Sequence, residues 1–116
     1  MATLTTQVIN RSGLTGPTFA AATGGGDAMA CGPGMHIEAR NASGAPITVT
    51  MVVPTGRVYE SGVAITSPTF SVPATTGVVR WGPVDAGTFM DPTTGLCTIT
   101  YSGVTSLTVG AFNLQG

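Results

Sequence analysis

The chain has 116 residues, a formal net charge of −1 and a charged fraction of 8%, against roughly 25% in average soluble domains. Twenty residues are threonine, seventeen are glycine and none is lysine. Four scattered arginines cannot neutralise several phosphates on one face, and no stretch approaches the roughly 18 apolar residues that cross a bilayer. This composition excludes nucleic-acid binding and a membrane-spanning helix, and it predicts one small β-rich domain.

The N-terminal quarter of the chain has little periodicity. Residues 1–10 lack the basic region and apolar core of a secretory signal, so we expect synthesis in the cytoplasm. Pro17 and the run Gly24–Gly26 break any helix, although residues 3–5 and 7–9 are compatible with short strands. The sequence therefore predicts an N-terminal arm over residues 1–27 and a β-domain over residues 28–116.

Period-two alternation begins at residue 35. Residues 35–40 alternate apolar side chains with His36, Glu38 and Arg40, which predicts a strand with one polar face. Residues 47–53 repeat the alternation after a turn-forming cluster at 41–46. The two segments are predicted to form an antiparallel hairpin.

The middle of the chain has weaker patterning. Residues 57–65 favour a loop with a short edge strand, and residues 70–72, between Pro68 and Pro73, predict an edge strand. Residues 78–81 predict a strand that ends at a turn at Gly82.

The C-terminal third contains a turn and two strands. Asp91 before a proline is expected to cap the turn at 89–95, and Gly95 permits a positive φ there. Strands are predicted at 96–101 and 107–111, joined as a second hairpin. Their predicted inward residues are Cys97, Ile99 and Tyr101 in the first strand and Leu107, Val109 and Ala111 in the second.

The strands number about six to eight at roughly ten-residue spacing, and no amphipathic helix accompanies them. The predicted fold class is all-β: an antiparallel β-sandwich or small barrel, Greek-key or jelly-roll-like, with an extended N-terminal arm. Strand order cannot be read from this pattern.

The residues available for chemistry are few. His36, the only histidine, fits a surface strand position better than a catalytic base. Neither Glu38 with Glu60 nor Asp85 with Asp91 lies in a motif for paired carboxylates. We therefore predict no enzymatic activity, no small-molecule substrate, no cofactor and no metal.

Two cysteines and one tryptophan allow more than one interpretation. Cys31 and Cys97 favour buried free thiols over a disulfide, and no CxxC spacing indicates zinc. Trp81 favours a partly buried core or hinge position, with an interface anchor as the alternative, and Arg80 beside it is a candidate for an interface contact.

Three segments carry a family resemblance. Residues 13–27 (GLTGPTFAAATGGGD), 37–50 (IEARNASGAPITVT) and 89–109 (FMDPTTGLCTITYSGVTSLTV) resemble small proteins that are encoded near the major capsid protein in tailed bacteriophages. These are often considered head decoration, or cement, proteins. The resemblance implies a β-sandwich subunit on the outside of an icosahedral head, commonly a homotrimer, whose partner is the major capsid protein. It implies no catalytic residues.

This resemblance implies a physical mechanism and a virion location. A folded subunit that binds only the expanded lattice stabilises it by mass action, and many copies multiply a modest affinity. We expect the arm to bind the capsid by adding a strand to an exposed sheet edge. Deletion of residues 2–20 is then expected to remove capsid binding and to leave the domain folded. The candidate interface residues are Leu4, Val8, Ile9, Leu14, Phe19, Arg80 and Trp81.

Two other functions stay open at this level. One is a tail-tube, tail-tip or head-joining component, which would assemble into rings or tubes. The other is a carbohydrate-binding β-sandwich, which needs an exposed aromatic platform that 6% aromatic residues make difficult to build.

Overall fold

A computed structural model describes residues 2–55, 62 and 64–114 of the chain. Ten strands and one short helix lie within these residues. Their bounds are β1 Ala2–Thr3, β2 Thr6–Ile9, β3 Ala20–Ala21, β4 Asp27–Ala30, β5 Met35–Asn41, β6 Ile47–Met51, β7 Thr69–Val72, β8 Gly77–Trp81, α1 Ala86–Phe89, β9 Leu96–Tyr101 and β10 Leu107–Leu114. Most of the predicted loop at 57–65, with Arg57 and Glu60, lies outside the described residues.

The strands form two sheets that pack face to face. The first sheet has the order β1-β4-β9-β6-β7, and the second has the order β2-β10-β5-β8 with β3 also paired to β10. The predicted all-β sandwich is therefore confirmed. The core between the sheets is made of fully buried apolar side chains, among them Met29, Ile37, Val49, Met51, Ile99, Leu107 and Val109.

The sheets are mixed because of the N-terminal segment. β1 pairs with β4 and β2 pairs with β10 in parallel, whereas the other strand pairs are antiparallel. Only residues 4–5 separate β1 from β2, and the two strands lie at the edges of different sheets, so the segment passes from the edge of one sheet to the edge of the other. The first residues of the predicted arm thus cover one edge strand in each sheet.

Burial agrees with this role. Leu4 is 6% exposed and its backbone N–H donates to the carbonyl of Ala28 over 2.7 Å. The arm expected to add a strand to a partner is therefore already paired within its own sandwich. Deletion of residues 2–20 would remove these strands and a core side chain, so it is not a clean test of binding.

Neither predicted hairpin forms. β5 and β6 lie in different sheets, and so do β9 and β10. Both connections pass from one sheet to the other, so that Ile37 of β5 and Val49 of β6 face each other's sheet and are both fully buried. The first connection is held by Asn41, whose Nδ2 donates to the carbonyls of Ala45 and Val72. Alternation identifies the buried face of a strand but not its neighbour.

Several local predictions are confirmed. β7 is an edge strand, as its flanking prolines indicated. At the turn before β9, the Asp91 carboxylate accepts from the Thr93 N–H over 2.8 Å, and Gly95 has a φ of 74°. The predicted inward residues of β9 and β10 are buried, with Tyr101 half-buried.

Candidate functional site

The outer face of the second sheet carries a compact cluster of functional side chains. β5 is central in this sheet, with Glu38 opposite Gly110 of β10 on one side and opposite Arg80 of β8 on the other. His36 lies opposite Phe112 in the neighbouring row. The period-two geometry therefore points all these side chains away from the core and towards the same surface.

Glu38 is the centre of this cluster. Its two carboxylate oxygens accept separately, from Arg40 Nε over 2.7 Å and from Arg80 Nε over 2.5 Å. Burial alone would raise the pKa of Glu38, but the hydrogen bonds and charges of Arg80 and Arg40 outweigh burial and hold that pKa below its usual range. Glu38 lies on the predicted polar face of β5, but only 3% of it is exposed because neighbouring side chains cover it.

Residues of the N-terminal segment cover this face. The Phe19 ring lies 5.8 Å from the Phe112 ring, and the guanidinium carbon of Arg40 lies 4.0 Å from the centre of the Phe19 ring. Gln7 fixes the segment because its amide both accepts from the Thr18 N–H over 2.7 Å and donates to the Thr18 carbonyl over 2.8 Å. The cover turns a flat sheet face into a concave surface.

Gly110 is what allows the segment to approach so closely. A Cβ atom at this position would lie 3.0 Å from the Thr18 carbonyl oxygen and 3.1 Å from a carbon of the Phe19 ring. These separations are tighter than ordinary van der Waals contact, so a side chain there would press the segment away from β10.

A groove runs between the segment and β8. Its first part is a pocket of about 240 Å³, and a second pocket adjoins it and shares His36 and Arg80. Leu114, which is 60% exposed, lines the far part. We name this surface the outer-face groove and define it by Leu14, Phe19, His36, Arg40, Arg80, Phe112 and Leu114.

Five of the seven candidate interface residues line the two pockets of the groove, four of them in the first pocket. Ile9, Leu14, Phe19 and Arg80 line the first pocket of the groove. Leu4 is instead part of the core, and Val8, on the opposite face of β2 from Ile9, is exposed outside the groove.

Trp81 lines the second pocket but is largely an internal residue. Its ring stacks on Phe70 with 6.1 Å between ring centres and meets the edge of Phe89 at 5.6 Å. It is packed against the core and half-buried, which agrees with the prediction of a partly buried core residue.

Sequence reasoning missed Phe112 and Gly110. The predicted strand ended at residue 111, one residue before Phe112, although the strand continues to Leu114. Had the alternation been continued, Phe112 would have appeared as an aromatic residue on the outward face. An aromatic residue on the outward face of a strand indicates either that the face is covered or that it is a docking surface. Here Phe19 and His36 pack on Phe112, which is only 4% exposed.

The other acidic residues have structural roles. Asp85 caps α1, since its carboxylate accepts from the Thr88 N–H over 3.0 Å, and Asp91 caps the turn before β9. Glu60, which the sequence does not place in a paired-carboxylate motif with Glu38, lies outside the described residues. No group of three or more metal-ligating side chains occurs in the described part of the chain. Within that part, no helix has both the length and the apolar character to cross a membrane.

Cys31 and Cys97 are free thiols that interact with each other. Burial, with a smaller effect of the neighbouring Cys31, raises the pKa of Cys97 to about 12. Burial and the charge of Asp85 also raise the pKa of the half-buried Cys31. Both thiols therefore stay protonated near neutral pH, and Cys97 is also shielded from reagents.

Alkylation should separate the two thiols. We expect iodoacetamide at pH 8 to modify Cys31 slowly and to leave Cys97 unmodified in the native protein, because the thiolate is the nucleophile. Trypsin, which cleaves only after arginine here, places the cysteines on peptides 12–40 and 81–116, so mass spectrometry can follow each one. In denaturant both should react at similar rates. If Cys97 were modified in the native protein as fast as Cys31, the burial of Cys97 would be contradicted.

Comparison of the chain with protein-family models, with curated proteins and with solved structures found no match.

Proposed function

We propose that this chain is a structural virion protein that binds the outside of an icosahedral phage head and stabilises the expanded capsid. The observation that carries the proposal is the outer-face groove, where an exposed, pre-positioned arginine pair lies beside apolar side chains on a sandwich. This is the chemistry of a protein contact surface: a charged group fixes orientation and apolar area supplies affinity.

The composition supports the same function. Only 8% of the residues are charged. Because charged groups lose hydration when a partner covers them, a surface with few of them is covered at a smaller cost in free energy. A sandwich whose N-terminal strands are paired within it can also act as a rigid unit, so that binding does not require the whole domain to order. When many copies bind one lattice, their modest individual binding free energies together stabilise the shell substantially.

The test is the location of the chain in purified particles. Virions, DNA-filled heads without tails and isolated tails from a phage that encodes the chain would be separated on density gradients. Quantitative mass spectrometry would then give its ratio to the major capsid protein. We expect a constant ratio in virions and tailless heads, and none in isolated tails. Recovery only with tails, or only in the soluble fraction, would contradict the proposal.

A second measurement tests stabilisation. Heads from a phage with the gene deleted should release DNA at a lower temperature than decorated heads, and added purified protein should restore the higher temperature. Analytical ultracentrifugation of the purified chain is expected to show a trimer. Unchanged release temperature with and without the protein would contradict the capsid-stabilising role.

A further inference from the structure

The outer-face groove has unused hydrogen-bonding capacity. Arg40 and Arg80 each use Nε to bind Glu38, and the terminal guanidinium nitrogens of both have no hydrogen-bond partner among residues 2–55, 62 and 64–114, although the Arg40 guanidinium also stacks on Phe19. The Arg80 side chain is 72% exposed and the Arg40 side chain is 49% exposed. Each guanidinium therefore presents N–H donors to whatever enters the groove.

The charges in the groove favour one kind of ligand. Two arginines against one glutamate leave one positive charge uncompensated within the cluster. A carboxylate placed between the guanidinium groups would accept charge-assisted hydrogen bonds and complete the cluster. Because Glu38 already holds both side chains, less conformational freedom is lost on binding than for free arginines.

The shape of the groove favours a peptide. The first pocket, of about 240 Å³, is large enough for a side chain, and the adjoining pocket has about 310 Å³. The apolar walls of the first pocket are Leu14, Phe19 and Phe112, and the adjoining pocket continues past Arg80 to the exposed Leu114. A ligand that fills both parts must be extended, with apolar groups on either side of its charge.

We propose that the outer-face groove binds an acidic peptide segment of a protein partner, with a carboxylate between Arg40 and Arg80 and apolar side chains against Phe19 and Leu114. The identity of the protein that carries this segment, a capsid subunit, rests on the proposed function. The binding chemistry itself rests on the groove.

The test uses a pair of capped tripeptides, leucine–aspartate–phenylalanine and leucine–asparagine–phenylalanine, titrated into the full ¹⁵N-labelled chain. We expect the aspartate peptide to shift the Nε–H signals of Arg40 and Arg80 and the amide signal of Phe112. It should bind at least about tenfold more tightly than the neutral peptide, since the two differ by a charge-assisted pair. Equal affinities, or shifts that do not include the arginines, would overturn the proposal.

Substitutions separate binding from folding. Arg80→Gln should remove the preference for aspartate, whereas Arg80→Lys keeps a positive charge beside Glu38 and should retain part of the preference. Arg11→Gln, outside the groove, should leave the preference unchanged. A preference that survives in Arg80→Gln would overturn the assignment. If the arginine NMR signals shift with protein concentration in the absence of peptide, a second copy of the chain occupies the groove, and this result would also overturn the assignment.

The particle experiment distinguishes the two proposals. If the chain is found in heads but the peptides do not discriminate, the acidic-segment proposal is wrong and the virion function stands. If the peptides discriminate but the chain is absent from particles, the groove assignment stands and the capsid role is wrong. Where both hold, Arg80→Gln should lower occupancy on heads.

Discussion

Replacing Gly77 with alanine is expected to lower Tm by about 10 °C or more, corresponding to a loss of roughly 3 kcal/mol. Gly77 begins β8, where the chain has just left β7 for the other sheet. A Cβ atom there would lie 1.9 Å from the carbonyl oxygen of Pro73 and 2.7 Å from its carbonyl carbon. Both atoms belong to the backbone, so relief of the clash must open the connection between the two sheets.

The matched control is Gly103→Ala, in the connection between β9 and β10. No atom lies within 4 Å of a Cβ built at Gly103. The same chemical change should therefore alter stability by less than about 0.5 kcal/mol, or raise it slightly by restricting the unfolded chain. Thermal unfolding followed by circular dichroism measures both variants. Equal Tm values for the two would contradict the close approach at Pro73.

Replacing Asp27 with asparagine is expected to cost about 2–3 kcal/mol of unfolding free energy at pH 7. Asp27 is fully buried at the start of β4. Its carboxylate accepts hydrogen bonds from the Tyr101 hydroxyl over 2.7 Å, the Thr23 N–H over 3.1 Å and the Ala2 N–H over 3.2 Å. It thus joins the N-terminal strand to both β4 and β9, and a neutral amide cannot accept all three bonds as strongly.

This stabilisation depends on pH in a defined direction. Burial alone would raise the pKa of Asp27, but the hydrogen bonds from Tyr101, Thr23 and Ala2 outweigh burial and lower it beneath the ordinary value of 3.8. A carboxyl whose folded pKa is depressed contributes fully above its unfolded pKa and loses that contribution as pH falls through the folded pKa. The difference between wild type and Asp27→Asn should therefore be constant near neutral pH and shrink below pH 3.8.

Tyr101→Phe is the companion variant. Burial and the neighbouring Asp27 raise the pKa of Tyr101, so its hydroxyl remains a donor at neutral and mildly alkaline pH. Its removal should cost about 1–2 kcal/mol, less than Asp27→Asn, because the other two donors remain. Urea unfolding of both single variants and the double variant at several pH values gives the coupling. A pH-independent difference for Asp27→Asn would contradict ionisation of the buried carboxyl.

These predictions concern the scaffold that positions the outer-face groove. Asp27 ties down the N-terminal segment at β4, and the Gln7–Thr18 pair and Gly110 hold its later part on β10. Because the segment supplies Leu14 and Phe19 to the groove, the groove depends on the same contacts that stabilise the fold. Point substitutions in the groove are consequently better tests of binding than removal of the segment.

Local patterning was sufficient to predict strands and their buried faces. Alternation placed Ile37, Val49, Ile99 and Val109 in the core, and each is fully buried. Prolines flanking residues 69–72 predicted an edge strand, and Asp91 predicted its turn. These features depend on interactions between residues that are close in sequence, so residue type and spacing are sufficient to predict them.

Sheet membership and the groove were decided by tertiary structure. The connections at 42–46 and 102–106 could close hairpins within one sheet or pass to the other sheet, and burial of the two apolar faces against each other selected the passage between sheets. Glu38 reads locally as a surface residue. It is buried only because Arg40 on its own strand, Arg80 on β8 and the returning N-terminal segment converge on it. The sequence by itself determined an all-β chain of low charge with alternating strands, because those properties are local. Only the packed structure could decide which strands pair and which side chains share a surface, because both depend on contacts between residues far apart in the chain.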